Sequence, residues 1–162
     1  SAAGSAAQSE YAGIQYFLPG ARRVLSRTGL DVQLRSSTVQ QMTFSTSIQH
    51  GAGGAGTVFN NALKTLNYPP STPTASEPTD AALIRAVYAQ RRADNGMKYF
   101  PSSNAGVRSS VVNRFHNEEA DALVSLQQEI DAANANPPTV DPSDNSAATS
   151  TVRPTSSPNN VQ

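Results

Sequence analysis

Apolar residues in this chain come in short clusters separated by polar or helix-breaking stretches, and the spacing inside most clusters predicts a mainly α fold. The first cluster, Tyr11, Ile14, Tyr16, Phe17 and Leu18, follows ten small or polar residues and is closed by Pro19 and Gly20. So much large apolar surface in so short a segment predicts an arm that docks in a groove, on its own subunit or on the next one. Tyr11, Ile14, Phe17 and Leu18 are therefore the expected subunit contacts. A short element follows over 21–27, with Val24 and Leu25 set among Arg22, Arg23 and Arg27 ahead of Gly29.

From Leu30 to His50 the period is mixed. Leu30, Val32 and Leu34 alternate as in a strand, while Val39, Met42 and Phe44 fit neither template; a helix over 37–49 is the preferred reading. The run from Gly51 to Gly56 predicts a flexible connector, because it lacks the Gly-Lys-Ser/Thr ending of a phosphate-binding loop. Val58, Phe59, Ala62, Leu63 and Leu66 then predict a helix over 57–67, which Tyr68, Pro69 and Pro70 stop. The clearest helix carries Leu83, Ile84, Val87 and Tyr88 on one face, with Asp80 in its first turn and Arg91 and Arg92 in its last, as the helix dipole favours. Asn95 and Gly96 end it. Two further helices are expected, a short one up to Phe115 and a last one capped by Asn117, with Leu123, Leu126, Ile130 and Ala133 at helical spacing. The organisation predicted is an N-terminal arm over 1–20, a helical core over 21–135 and a polar C-terminal tail over 136–162.

Composition narrows the picture. Hydrophobic residues make up 37% of the chain and aromatics 6%, which predicts a thin core that partners complete. No apolar run reaches membrane-spanning length, so a soluble chain with no membrane contact is expected. The formal net charge is zero, but the charge is divided. Residues 1–115 hold 11 basic and 5 acidic side chains; residues 116–162 hold Arg153 alone against 7 acidic ones. The two segments can pair with each other, or the arginines can meet an outside anion.

Candidate chemistry is sparse. There is no cysteine, and His50 and His116 lie far apart in unlike contexts, so no metal, cofactor or catalytic role is expected. Arg91, Arg92, Arg108 and Arg114, interleaved with Tyr88 and Tyr99, form the mixture of guanidinium and aromatic groups that single-stranded nucleic acid sites use.

The ordered series Val87-Tyr88-Ala89-Gln90-Arg91-Arg92, Tyr99-Phe100-Pro101, Gly106-Val107-Arg108 and Asn113-Arg114-Phe115 resembles the core of coat proteins of flexible filamentous, potyvirus-like plant RNA viruses over about 30 residues. Rod-shaped plant virus coat proteins are similar in length and helicity. After Phe115 this chain has His116, Asn117 and Glu118 where the potyvirus-like family has Ala-Phe-Asp-Phe. The resemblance implies a helical nucleocapsid subunit of a virion in the host cytoplasm. Its partners would be copies of itself in a helical polymer and single-stranded RNA, held without sequence preference by the four arginines with Tyr88 or Tyr99 stacking. The alternative expectation is a small helical accessory subunit of a cellular complex, without nucleic acid.

Overall fold

The computed structural model describes residues 13–68 and 76–137. A π-helical turn, Gly13–Phe17, leads into α1, Leu18–Thr28. Pro19 does not close the apolar cluster: it lies in the first turn of α1, where a missing N–H costs nothing. Gly20, Ala21, Val24 and Thr28 form the buried face at helical spacing. Gly29 ends the helix at φ 78°, with its N–H donating to the Leu25 carbonyl at 2.8 Å.

After a 3₁₀ turn at Val32–Leu34, α2 runs from Ser37 to Thr65. The expected connector at 51–56 is helical. Gly51 alone departs, with φ 74° and ψ 169°, and kinks the helix there. Of the glycines beyond it, Gly56 serves close packing. A Cβ at Gly56 would come within 3.3 Å of the Arg23 Cβ and 3.5 Å of the Arg23 carbonyl oxygen, so the absence of a side chain lets α1 lie directly on α2. The mixed period before Gly51 also has a physical cause. Thr43, Thr46 and Ser47 are buried, and each hydroxyl donates to the carbonyl four residues back, at 2.9, 2.7 and 2.8 Å. Polar side chains satisfied in this way occupy core positions that a hydrophobic pattern cannot register.

α3 spans Asp80–Arg91, with the Thr79 hydroxyl accepting from the Ala82 N–H at 3.2 Å. A 3₁₀ turn at Ala93–Gly96 leads to α4, Ala105–Ala135, one continuous helix capped by Asn104. Asn117 is therefore an exposed mid-helix residue, not a cap. Continuity there places Phe115, Glu118 and Glu119 toward the helices before them.

The described residues form no strand, and the fold is mainly α. α1 packs on α2, α2 on α3 and α3 on α4. Val24, Leu30, Val39, Met42, Val58, Phe59, Leu83, Ile84, Val87 and Phe115 join in one buried cluster; each large side chain so enclosed stabilises by about 1.5–3 kcal/mol. Arg35 ties the start of α2 to that of α3, meeting Asp80 and Glu77 at 2.8 Å each. No helix of the described residues is long and apolar enough to cross a membrane.

Among the expected subunit contacts, Phe17 and Leu18 are half-buried, and Phe17 packs against the chain's own core. Tyr11 and the side chain of Ile14 lie outside what is described. Tyr16 remains 42% exposed and meets Phe44 edge-on at 6.5 Å. Residues 138–162, most of the expected tail, also lie outside the described residues.

Candidate functional site

Among the described residues the largest fully buried side chain is a charged one, Arg91, at the last turn of α3. Its guanidinium lies over the Phe115 ring at 4.0 Å and near the Tyr88 ring at 5.2 Å. Both terminal nitrogens reach the Ser45 hydroxyl at 3.4 Å, and Nη1 stands 3.6 Å from Glu118. These contacts are long, and Nε has no hydrogen-bond partner among the described residues. Burial lowers the pKa of Arg91 from its ordinary value, while Tyr88 and Glu118 oppose that shift.

Glu118 is the hub of the cluster. It accepts from the Ser45 hydroxyl at 3.2 Å and from the Tyr88 hydroxyl at 3.3 Å, and Arg114 approaches its other oxygen at 3.6 Å. Burial moves Tyr88 up to about 12, with Arg91 lowering it and Glu118 adding to the rise. One residue on, Arg92 Nη1 stands 2.5 Å from Glu119, an ion pair by distance without hydrogen-bond alignment. Arg114 also donates to Gln49 at 2.5 Å.

His50, just before the Gly51 kink, is surrounded by aromatic rings. The Tyr99, Phe100 and Phe115 centroids lie 5.4, 5.3 and 6.4 Å away. Burial first, and the charge of Arg91 second, hold its pKa at about 4, so it is neutral at pH 7. Tyr99 in turn accepts from the Asn61 amide at 3.1 Å.

Beside this cluster a groove of about 480 Å³ runs between α2 and α4, lined by Gln41, Met42, Ser45, Glu118, Asp121 and Ser125 among others. Glu129 at its far end accepts from the Ser37 N–H at 3.0 Å, from the Thr38 N–H at 2.6 Å and from the Thr38 hydroxyl. It thus caps the helix it faces. The groove combines hydroxyls, an amide and carboxylates over an apolar floor, a surface suited to a polar ligand or to a loop of a protein partner. No group of three or more His, Asp and Glu among the described residues is set to hold a metal.

The six side chains expected to grip RNA do not share one groove. Arg91 and Tyr88 are buried and cannot meet a phosphate or stack on a base. Arg92 and Arg114 are engaged by Glu119 and Glu118. Tyr99 packs on His50, and Arg108 sits apart at the start of α4, donating to the Ser103 carbonyl. Sequence reasoning missed Ser45, His50, Glu118 and Glu119 as members of the cluster. The division of charge between the two parts of the chain was the available signal, since the basic α3 faces the acidic α4.

Comparison with known proteins agrees with this geometry in setting the coat-protein reading aside. The family model for the type VI secretion system spike protein VgrG3-like, C-terminal, matches residues 2–119. No curated protein and no solved structure matches the chain. A match over α1, α2, α3 and the first half of α4 overturns a resemblance over about 30 residues. With it go the virion, the helical polymer and single-stranded RNA as setting and partners, and the unspecified cellular complex gives way to the secretion spike. The chain belongs to the VgrG3-like C-terminal family of type VI secretion system spike proteins.

Proposed function

We propose that this chain is the helical module that a type VI secretion spike protein carries at its C-terminal end, and that it works by binding, with the groove between α2 and α4 as its recognition surface. The family match over 2–119 carries the spike assignment; it takes in the α2 wall of the groove with Tyr88 and Glu118, while Asp121, Ala122, Ser125 and Glu129 lie beyond it. The chemistry of the groove supports a binding role. Glu118 is occupied by Ser45, Tyr88, Arg91 and Arg114, and Glu129 by the start of α2, so both carboxylates hold structure in place. His50 is enclosed by aromatic rings and neutral, with no carboxylate to orient it as a base. Asp121, Gln41 and Ser125 are exposed and face the groove.

The test has two arms. Epitope-tagged protein in a bacterium with a type VI apparatus should reach the medium only when the apparatus is intact; release independent of it would overturn the spike assignment. The double variant Gln41→Arg and Ser125→Arg, both at exposed positions, should be exported and folded normally yet lose the partner that co-purifies with the parent. Retention of that partner would place recognition elsewhere.

A further inference from the structure

A second cavity, on a different part of the molecule, has a lining of another kind. About 400 Å³ in volume, it lies between the α3–α4 linker and the first turns of α4, lined by Asn95, Ala105, Arg108, Ser109, Val112 and Asn113. The linker is bent sharply to make it. Asp94, Asn95 and Gly96 have φ of 54°, 53° and 82°, three successive left-handed residues. Gly96 is buried, and a Cβ there would lie 3.4 Å from Val112 and 3.6 Å from the Arg108 Cβ, so the turn is pressed directly onto α4. Asn95 is thereby brought beside Arg108.

The electrostatics of this cavity are one-sided. Arg35, Arg91, Arg92 and Arg114 each stand within 4.0 Å of a carboxylate. Arg108 has no such partner among the described residues; it is half-buried and donates to a neutral carbonyl, that of Ser103. A guanidinium partly withdrawn from water without a counter-charge gains from an incoming anion, and charge-assisted bonds to it are about twice as strong as neutral ones. No carboxylate lines the cavity, while Asn95, Asn113 and Ser109 add amide and hydroxyl donors around the cation. The first turn of α4 contributes partial positive charge of the same sense.

We propose that this cavity is a binding site for a small ligand bearing a compact oxyanion, a carboxylate or a phosphate group, with Arg108 as its counter-charge and Asn95, Ser109 and Asn113 as neutral donors. The site is separate from the α2–α4 groove and does not depend on what that groove binds. Its volume suits a single small molecule.

The experiment is a titration of the isotope-labelled full chain with inorganic phosphate and, separately, with acetate, each against sodium chloride at matched ionic strength. The Arg108 Nε–H and the Asn95 and Asn113 side-chain amides are followed by nuclear magnetic resonance. Saturable shifts of these signals with phosphate or acetate, absent with chloride, are expected, and the anion that saturates first identifies the preferred group. Arg108→Gln should weaken binding at least tenfold. Asn113→Asp, at an exposed position that leaves the fold intact, should do the same by placing a negative charge in the cavity. Shifts that chloride reproduces, or binding that survives both substitutions in folded protein, would overturn the proposal.

Discussion

The two halves of α4 are held in different ways. Residues 105–119 carry Phe115, fully buried, and Glu118 and Glu119, engaged by Arg91 at the end of α3 and by Arg92 just after it. Over 120–135 only Leu126 is buried, at 6%, and Glu129 is the acidic side chain that bonds to another helix. Val124 and Ile130 are 59% and 44% exposed. The family match ends at residue 119, at the junction between the two halves. A cluster of rings and charges locks the first half into its register. The second half continues as a helix because helix propagation is easy once begun, and it is fastened by Leu126 and Glu129, with Ala122 and Leu123 packed at the edge of the core.

Four tests would break or sharpen this contrast, taken from the largest expected effect downward. Phe115→Ala removes the ring on which Arg91 rests and should cost about 3–5 kcal/mol, read as a lower urea midpoint. A cost below about 1 kcal/mol would mean that the first half is not anchored there. In the second half, Leu126→Ala should cost about 2 kcal/mol or more, against less than about 0.5 kcal/mol for Val124→Ala two residues away. Equal effects would remove the distinction between anchored and exposed positions.

Acid should loosen the first half next. The folded-state pKa of His50, about 4, lies below its unfolded value of 6.5. The neutral form is therefore favoured by folding, and stability is fully present above about pH 6.5 and falls as pH drops toward 4. Asp80 acts in the same direction at lower pH. Burial raises its pKa, but the hydrogen bonds from Ser36 and Arg35 outweigh this and hold it below the ordinary value. Its contribution is present above the unfolded pKa and is lost as pH falls through the folded one. His50→Phe should flatten the pH dependence between 6.5 and 4; an unchanged profile would show that His50 is not the titrating group. The smallest effect is expected from Glu129→Gln, which weakens the bonds to the Ser37 and Thr38 N–H groups and should cost about 1 kcal/mol. Hydrogen exchange should then quicken at the start of α2 and leave residues near Phe115 unaffected.

Much of the helical plan was legible in the sequence where apolar residues recur at three and four. α3 reads correctly from Leu83, Ile84, Val87 and Tyr88 and from Asp80 in its first turn. The plan was least legible in α2 and at the middle of α4. In α2, hydroxyl side chains fill core positions and glycines mark a close helix crossing, so the residues that pattern reasoning takes for loop lie inside a helix. In α4, Asn117 looks like a cap because local preference alone is visible in sequence.

By itself, then, the sequence determined the mainly α character, the apolar faces and the opposition of a basic and an acidic segment, since these follow from spacing and from counting charges. Only the tertiary structure decided what each charge meets. Arg91 and Arg108 are the same residue type on neighbouring helices. One is sealed under Phe115 beside Glu118; the other faces a cavity with no carboxylate in its lining. The worth of a guanidinium depends on its desolvation and on the nearest opposite charge. Both are set by residues far away in sequence, brought near by the packing of α2, α3 and α4.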